Sequence, residues 1–315
     1  MLHTILGAGG PVSNALAQEL LKLNFPVRLV SRRKIESANR AHWIGADLKN
    51  YQQVLKAVQG SSVIYMCAGL RYDKKVWAAE WPLIMQNLID ATQATGARLI
   101  FFDNVYMYGR VQGPMTEDTP YNPGSVKGEI RARVAEKLMH EVKAGNLQAT
   151  IARAADFYGA ESLNSFYDAM VLAKYAQKSK AMWLGNPDTK HAFTYVPDAG
   201  KAVALLGQHP EADNQVWHLP TAPALTGREF VQLAATIFNT SPKFISVNKI
   251  MLQAMGLFTK AIGETAEMYY QYQYDYIFSS EKFEKAFNVY PTAYTDGVQQ
   301  LSQTLFQPEK VLLAL

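Results

Sequence analysis

The chain contains 315 residues, of which 49% are hydrophobic, a length that can bury a large core in one domain or two interleaved ones. Its net charge is only +4 and its one basic run is at residues 32–34, which argues against a nucleic-acid partner. A single cysteine excludes a disulfide within the chain and is typical of a reducing compartment, so we expect a cytoplasmic protein. The sequence has no apolar run of bilayer length, no metal-ligand spacing of histidines and no Gly-x-Ser-x-Gly elbow, which argues against membrane, zinc and triad-hydrolase functions.

The first predicted element is a short strand over residues 2–6 that runs directly into a glycine-rich turn. The turn contains Gly7, Gly9 and Gly10, followed by Pro11 and an amphipathic stretch over residues 14–23. Glycines let the backbone turn tightly and approach phosphate oxygens, and the N–H groups at the start of the helix donate to the negative charge. Because an apolar run at residues 27–30 follows as a second strand, the pattern predicts a dinucleotide pyrophosphate site.

The residues after the second predicted strand indicate which dinucleotide is bound. An NAD site usually places Asp or Glu here to hold the ribose 2′-hydroxyl. This chain instead has Ser31 and the basic run at residues 32–34, with no acid before Glu36. A guanidinium binds a 2′-phosphate in a fork and stacks on adenine, so we expect NADP rather than NAD, held by Arg32 and Arg33.

Apolar strands and helical periodicity alternate over the first two thirds of the chain. Further strands are predicted at residues 41–44, 62–67, 98–102 and 148–153, with helices at residues 51–58, 76–94 and 126–144. Each crossover is long enough to return the chain parallel to the preceding strand, which predicts a doubly wound α/β fold. We place the nucleotide-binding domain at residues 1–155, with a returning segment near 191–218, and a smaller substrate-capping part at 156–315.

These features together resemble the extended short-chain dehydrogenase/reductases, the group that contains the nucleotide-sugar epimerases and dehydratases. The resemblance rests on the glycine turn, on Asp47 after the third strand, and on residues 101–109, which end Tyr-Met-Tyr-Gly. Residues 153–159 (Arg-Ala-Ala-Asp-Phe-Tyr-Gly) and 193–198 (Phe-Thr-Tyr-Val-Pro-Asp) extend it. The resemblance implies a Rossmann fold in which Asp47 touches the adenine ring. The alternative role for Asp47 is a helix N-cap, and the two roles are compatible.

The chain departs from this family at the positions that carry catalysis. The family uses Ser or Thr after the fifth strand and a Tyr-x-x-x-Lys pair on the next helix, whose lysine lowers the pKa of the tyrosine. Here Asn104 stands at the serine position, Lys127 at the tyrosine position and Arg131 at the lysine position. None of the three standard groups is present, so the family's usual mechanism does not carry over.

Three interpretations of Lys127 and Arg131 remain open. In the favoured one, Arg131 lies one helical turn after Lys127 and disfavours its protonated form, so that Lys127 exchanges a proton with the substrate. The run Lys-x-x-Ile-Arg also resembles the isoflavone-reductase-like reductases, in which a lysine from this helix does acid/base work. In the second, both residues only hold the ribose and phosphates of NADP(H), as in regulatory proteins of the NmrA type. In the third, they are solvated cations that continue into Arg133 and Lys137.

Other polar residues after the fifth strand are further candidates. Tyr106 and Tyr108 lie where the carboxyl edge of a parallel sheet faces the coenzyme, so that one of them can replace the missing phenol; packing alone explains them equally well. Asp103 either positions a substrate hydroxyl or the lysine, or is a turn residue at the strand end, and we favour the turn. The predicted catalytic residues are Lys127, Asn104, Tyr106 and Tyr108. The predicted coenzyme-binding residues are Gly7, Gly9, Gly10, Pro11, Val12, Ser31, Arg32, Arg33, Asp47, Ala68, Gly69, Lys127 and Arg131.

The second part of the chain is apolar and aromatic. We expect Phe157, Tyr158 and Trp183 to line a substrate pocket. Tyrosines at positions 270, 272, 274 and 276 alternate with other residues as in a strand, which leaves rings exposed and favours an interface, such as that of a homodimer, over a ligand wall. Few cations here could hold a sugar-nucleotide diphosphate, so we expect a small, weakly charged substrate.

The sequence therefore predicts an NADP(H)-dependent enzyme that oxidises or reduces a small carbonyl or hydroxyl compound, with Lys127 as proton carrier. An NADP(H)-binding regulatory protein is one alternative. A sugar-nucleotide epimerase or dehydratase with a rebuilt acid/base pair is the other.

Overall fold

The computed structural model describes residues 1–35, 41–159, 165–257 and 259–305. The strands are β1 (His3–Leu6), β2 (Val27–Ser31), β3 (Ala41–Gly45), β4 (Val63–Met66), β5 (Arg98–Asp103), β6 (Pro114–Met115), β7 (Ala149–Arg153), β8 (Asp156–Tyr158), β9 (Ala181–Leu184), β10 (Lys190–His191), β11 (Phe193–Tyr195), β12 (Val216–His218), β13 (Leu225–Thr226), β14 (Phe244–Val247) and β15 (Ile277–Phe278). The helices are α1 (Pro11–Lys22), α2 (Tyr51–Val58), α3 (Lys74–Thr95), α4 (Val126–Lys143), α5 (Ala173–Ala176), α6 (Val196–Gln208), α7 (Gly227–Ile237), α8 (Lys249–Gly256), α9 (Lys260–Thr265), α10 (Tyr270–Gln273), α11 (Glu281–Phe287) and α12 (Tyr294–Leu305).

The chain divides into two units. Unit 1 comprises Met1–Gly109, Pro120–Ala154 and Ala199–Leu219. Unit 2 comprises Arg110–Thr119, Ala155–Asp198 and Pro220–Leu315. No helix in the described part of the chain is both long enough and apolar enough to cross a membrane.

Unit 1 contains a parallel sheet of seven strands in the order β12-β7-β5-β4-β1-β2-β3. Strands β1 and β4 are buried along their whole length, as expected for central strands covered on both faces. In the register, Leu6 pairs with Val30 on one side and with Met66 on the other. The strand order reverses at β1, and a reversal of this kind opens a crevice at the carboxyl ends of the strands. The predicted doubly wound α/β fold is confirmed.

The helices of unit 1 begin at polar caps. Asn50 accepts a hydrogen bond from the Gln53 N–H at the start of α2, and Ser125 accepts one from the Gly128 N–H at the start of α4. Because Asn50 caps α2, the alternative role of Asp47 as the N-cap of that helix is wrong. The apolar faces of α2, α3 and α4 form one core with the sheet.

Unit 2 is held together by an aromatic core and short two-stranded sheets. Strand β8 pairs in parallel with β11, and β9 pairs in parallel with β14. Tyr167 packs against Trp183, Phe193 and Phe230, with ring centroids 4.8 to 6.3 Å apart. The predicted strand through the tyrosine-rich segment is wrong, because Tyr270–Gln273 is the helix α10.

Candidate functional site

The turn between β1 and α1 has a backbone that only glycine adopts readily. Gly7 has φ of +80° and Gly9 has φ of +102°. The N–H groups of Gly7 and Ala8 both donate to the Val30 carbonyl, at 2.9 and 3.0 Å, which anchors the turn to β2. A Cβ on Gly7 would lie 2.2 Å from the Ala68 Cα, so the turn and the end of β4 approach each other too closely for any side chain.

Helix α1 starts directly after this turn. Gly10 is its N-cap residue, Pro11 occupies the first turn, and the Ser13 hydroxyl donates to the Gly10 carbonyl at 2.8 Å. A Cβ on Gly10 would meet only the Ser13 hydroxyl, at 3.8 Å, so space remains above the helix terminus. Val12 is buried beneath it. The first N–H groups of a helix, together with its positive dipole end, form a site for a phosphate.

The two arginines after β2 reach solvent. Arg32 and Arg33 are exposed. The Ser31 hydroxyl is engaged locally, since it donates to the Arg33 carbonyl at 2.6 Å and accepts from the Trp43 indole at 3.0 Å. The structure therefore presents two guanidinium groups, and no carboxylate from residues 31–35, beyond the carboxyl end of β2.

The remaining predicted coenzyme residues lie after β3 and β4. Asp47 is half-buried, and its carboxylate accepts from the Lys49 N–H at 3.0 Å. Gly69 is exposed and has open space where a side chain would be, while Ala68 is the residue that Gly7 approaches. Because β1 and β4 are neighbours in the sheet, Ala68 and the glycine turn share the carboxyl edge. The prediction that Asp47 touches adenine stays a prediction.

Lys127 lies in the first turn of α4 and is completely buried. Its amine is 4.4 Å from the centroid of the Tyr72 ring, within the range of a cation–π contact. The helix comes this close to the end of β5 because position 128 is glycine: a Cβ there would lie 2.6 Å from the Tyr106 carbonyl oxygen. The interpretation of Lys127 as a solvated cation is therefore wrong.

A buried ionic network occupies the carboxyl ends of β5 and β7. Asp103, the last residue of β5, pairs with Arg131 from α4, whose Nε lies 2.8 Å from Oδ1 and whose Nη2 donates to the same oxygen. Arg153, the last residue of β7, lies 3.5 Å from the other carboxylate oxygen of Asp103. All three side chains are at most 3% exposed. Two guanidinium groups thus share one carboxylate out of contact with water.

Two phenols and a histidine extend this network. Arg153 donates to the Tyr108 hydroxyl at 2.7 Å and also to the Tyr121 hydroxyl. The Tyr108 hydroxyl is 2.8 Å from Nε2 of His218, the last residue of β12. Burial opposes the charge of Arg153, but Tyr108, Asp103 and Tyr121 outweigh it and raise the pKa of the guanidinium.

These contacts differ from the roles expected for Arg131, Tyr108 and Asp103. The Arg131 guanidinium was expected at the coenzyme ribose and phosphates, but it is enclosed by Asp103 and lies over the Trp81 ring at 4.2 Å. The Tyr108 hydroxyl is held between the Arg153 guanidinium and His218 Nε2, so it is part of the buried network. Asp103 accepts from the Asn104 N–H at 2.8 Å, as a turn residue does, but its main role is to balance two buried cations.

The other two predicted catalytic residues are more accessible. Asn104 and Tyr106 are half-buried. The side-chain Oδ1 of Asn104 accepts from the Tyr106 N–H at 3.1 Å, and the Tyr106 ring stacks on Trp77 with centroids 6.2 Å apart. Their polar groups lie beside the carboxyl end of β5, where the sheet edge carries function in this fold.

Sequence reasoning missed Arg153, Tyr121 and His218 as members of this cluster. Arg153 and His218 each end an apolar strand, β7 and β12, and these strands are neighbours in the sheet. A charged or polar residue at the carboxyl end of a parallel strand was the available signal. Tyr121 lies in a loop and carried no such signal.

The predicted substrate residues of unit 2 separate into two groups. Phe157 is half-buried on β8. Tyr158 and Trp183 are 0% and 4% exposed and lie inside the aromatic core, which differs from the expected pocket wall. Burial raises the pKa of the Tyr158 phenol well above its ordinary value, with further contributions from Tyr294, Tyr195 and neighbouring carboxylates. Within the described ranges, no three His, Cys, Asp or Glu side chains come together in a way that could hold a metal ion.

Known proteins with similar sequences and structures agree with this fold. The uncharacterized protein y4nL from Sinorhizobium fredii (strain NBRC 101917 / NGR234) is 24% identical over 204 residues, which cover 61% of this chain and 56% of that protein. The match thus spans little more than half the length of this curated relative. The structure of UDP-glucose 4-epimerase from Thermus thermophilus in complex with NAD superimposes with a TM-score of 0.80 at 14% identity, covering 98% of this chain and 100% of that one.

A second solved structure and a family model complete the comparison. The dTDP-glucose 4,6-dehydratase from Bacillus anthracis in complex with NAD has a TM-score of 0.82 at 14% identity, with 98% of both chains covered. At such low identity, these likenesses show the fold alone. The model of the NAD dependent epimerase/dehydratase family matches residues 3–219, which is more than half of the chain. The protein therefore belongs to the NAD dependent epimerase/dehydratase family, whose fold binds NAD(P).

Proposed function

We propose that the protein is an NADP(H)-dependent oxidoreductase that acts on a small carbonyl or hydroxyl compound and uses Lys127 to carry the proton. The observation behind this proposal is the complete burial of Lys127 at the start of α4, in the unit that also contains the glycine turn. Lysine is almost never fully buried without a structural or functional reason, and a buried titratable group near a ligand crevice is a candidate for catalysis.

The residues of the β1–α1 turn fit a dinucleotide. A Cβ on Gly10 would meet only the Ser13 hydroxyl, at 3.8 Å, so space remains for phosphate oxygens where the start of α1 supplies donors. Arg32 and Arg33 would hold the 2′-phosphate, which supports NADP over NAD. When bound, the coenzyme supplies or accepts the hydride.

The buried network would position Lys127 rather than transfer the proton itself. Asp103 fixes Arg131, and Arg131 lies one helical turn after Lys127, so the first turns of α4 are tied to the end of β5. Asn104, which is half-buried beside that strand end, would donate a hydrogen bond from its amide to the substrate oxygen. Lys127 would then donate or accept the proton of that oxygen.

Turnover measurements on Lys127 variants test the proposal. NADPH oxidation is followed by absorbance against a panel of aldehydes, ketones and enones, for the wild type and for Lys127→Ala. We expect at least one substrate, and a loss of about 100-fold or more in kcat for the variant. Lys143→Ala is the matched control, since Lys143 is an exposed lysine at the end of the same helix, and it should retain full activity.

A regulatory NADP(H)-binding protein is the second candidate, and one observation favours it. Arg131 and Tyr108, two polar residues expected to face the coenzyme or substrate, are instead enclosed in a buried network. If NADPH binds tightly while every substrate in the panel fails, this candidate replaces the enzyme. Tight binding of UDP or dTDP would instead support the third candidate, a sugar-nucleotide epimerase or dehydratase.

A further inference from the structure

Unit 2 exposes several large apolar side chains that lie close together in sequence. Three of them, Ile250, Met251 and Leu257, lie on α8 or at its end, and we call them the α8 face. Ile250 is 76% exposed and Leu257 is 85% exposed, and Ile245 is open to solvent on the preceding strand β14. Exposed apolar residues that are scattered singly are ordinary, whereas a group of them marks an interaction surface. None of the functions considered above assigns a role to this face.

Helix α8 has apolar side chains on two opposite sides. Leu252 is buried and forms a small core of unit 2 with Leu184, Val247 and Tyr269. Ile250 lies about 200° around the helix from Leu252, and Leu257, seven residues after Ile250, returns to the same side as Ile250. Leu257 is the C-cap residue and keeps helical dihedral angles. The side of α8 that faces solvent is therefore apolar as well, which a helix packed only against its own core does not require.

The chain around the α8 face contains cations and no anions. Residues 230–263 include no Asp or Glu and three lysines, Lys243, Lys249 and Lys260. Another exposed lysine, Lys180, lies beside Lys243, because β9 and β14 pair from their first residues. The first acid after this stretch, Glu264, is half-buried on α9. A partner of this face therefore has to combine an apolar layer with negative charge.

We propose that the α8 face binds the surface of a lipid bilayer that contains anionic phospholipids. Ile250 and Leu257 enter the boundary between headgroups and acyl chains, while the lysines remain at the level of the lipid phosphates. A helix of 8 residues is about 12 Å long, so α8 lies on the bilayer and does not cross its hydrocarbon core of about 30 Å. An apolar run of bilayer length is needed for a span but not for a contact of this kind.

Protein partners fit the α8 face less well than a bilayer does. In a symmetric dimer, a contact through this face brings the same patch of both copies together, so the lysines of one copy meet those of the other. Like charges placed opposite each other weaken such an interface. The cores of protein interfaces are also depleted of lysine, whereas lysines beside exposed apolar side chains are typical of helices that lie on bilayers.

Binding of the full chain to lipid vesicles tests the proposal. Vesicles of phosphatidylcholine alone are compared in a flotation assay with vesicles that contain about 30% phosphatidylglycerol, at low and at high salt. We expect binding to the anionic vesicles, weakened by salt. The double variant Ile250→Ser, Leu257→Ser should lose about tenfold or more in affinity for them. The double variant Lys243→Gln, Lys249→Gln should lose about tenfold.

Matched variants of unit 1 control for general attraction, since the whole chain has a net charge of +4. The apolar control is the double variant Leu23→Ser, Leu83→Ser, which replaces two exposed leucines of that unit. The charge control is the double variant Lys56→Gln, Lys143→Gln, which removes two exposed lysines. Both controls should bind the vesicles as the wild type does.

A fluorescent label reports which part of the chain meets the lipid. Ile250→Cys is labelled with an environment-sensitive fluorophore, and its emission should shift to shorter wavelength when anionic vesicles are added. The same label at Leu83→Cys should show no shift. The wild type is carried through the labelling to measure any reaction of Cys67, whose thiol is the one that the natural chain contains. Circular dichroism shows that each variant is folded.

Four results overturn the proposal. They are no binding of the wild type to anionic vesicles, equal binding to neutral vesicles, losses in the unit 1 controls as large as those in the α8 variants, and an unshifted label at position 250. Analytical ultracentrifugation without lipid adds a fifth: a wild-type dimer that Ile250→Ser, Leu257→Ser dissociates would assign the face to a second copy of the chain. The outcome does not depend on the proposed function, which NADPH turnover tests separately.

Discussion

The β1–α1 turn and the Asp103 network belong to the same unit but are built from different parts of the chain. The turn depends on backbone features. Two of its glycines have positive φ angles, and two of its N–H groups donate to one carbonyl. A Cβ on Gly7 would lie 2.2 Å from the Ala68 Cα, which excludes any side chain. The network is made of side chains, with one carboxylate between two guanidinium groups. The backbone site tolerates no side chain at Gly7, whereas a side-chain site depends on every partner being retained.

The largest effect is expected from Asp103→Asn, which tests the side-chain region. The change leaves Arg131 and Arg153 buried without their counter-charge, so the free energy of unfolding should fall by about 3–5 kcal/mol in urea denaturation. The double variant Asp103→Asn, Arg131→Met should recover part of the loss, since one of the buried charges is removed with its partner.

Asp188→Asn is the control for this prediction, because Asp188 pairs with Arg228 on the surface. The free energy of unfolding of this variant should equal that of the wild type within experimental error. If Asp103→Asn loses as little free energy of unfolding as this control, water reaches the guanidinium groups, and the network is not shielded from solvent.

The next effect is expected from Gly7→Ala, which tests the backbone region. The new methyl group would overlap Ala68 and force a φ of +80° on alanine. Coenzyme binding should be lost, and the free energy of unfolding should fall by about 2–4 kcal/mol. Fluorescence titration with NADPH and urea denaturation measure the two effects.

Gly60→Ala distinguishes the effect of a strained backbone φ angle from the effect of steric overlap with Ala68. Gly60 has nearly the same φ, +75°, but has nothing within 4 Å of the added carbon. This variant should lose only about 1–2 kcal/mol and should bind the coenzyme normally. Equal losses in Gly7→Ala and Gly60→Ala would show that the close approach to Ala68 plays no part.

The same difference explains what could be predicted from the sequence. Helix α4 was predicted at residues 126–144 and extends over Val126–Lys143. The agreement is close because helix caps and apolar periodicity depend on residues that are near one another in sequence. The glycine turn is equally local. Asp103 and its two arginines are 28 and 50 residues apart in sequence, so their pairing depends on the strand order, which the local pattern did not specify.

The tyrosine-rich segment shows a second limit of prediction from sequence. Alternation over a few residues fits a strand, but the chain forms α10 at Tyr270–Gln273 and only a single bridge between Tyr276 and His191. The burial of Tyr276 is decided by its stacking on His191, which lies far earlier in the chain. A short periodic run cannot distinguish between the two structures when distant rings decide which faces are buried.

The pH dependence of the free energy of unfolding tests whether a side chain of β1, the strand that leads into the glycine turn, contributes to stability. His3, in the strand that leads into the glycine turn, lies 2.8 Å from the Tyr65 hydroxyl, and burial, with the N-terminus and Arg98, lowers its pKa to about 4. Between the ordinary histidine pKa of 6.5 and this lowered value, the unfolded chain binds a proton that the folded chain does not. Stability should therefore fall as the pH falls over this range, by about 3 kcal/mol at most from this group.

Substitution isolates this contribution from that of the carboxylates. The pH dependence of His3→Gln should be flatter than that of the wild type over the same pH range, and His42→Gln, at an exposed position of β3, should follow the wild type. Parallel curves for His3→Gln and the wild type would mean that His3 takes up its proton in the folded state, and that β1 does not contribute to acid unfolding.

The smallest effect is expected at Arg32 and Arg33, where exposed side chains extend the backbone site. Both residues follow β2 and are open to solvent, so their replacement by alanine should leave the fold intact. Without a guanidinium for the 2′-phosphate, the Kd for NADPH should rise about tenfold, equivalent to about 1.4 kcal/mol, while the Kd for NADH stays nearly constant. Lys34→Ala should change neither value. An equal loss for both coenzymes would assign the arginines to general electrostatic attraction, and no loss for either would contradict the preference for NADP. In the second case the backbone turn alone would account for dinucleotide binding.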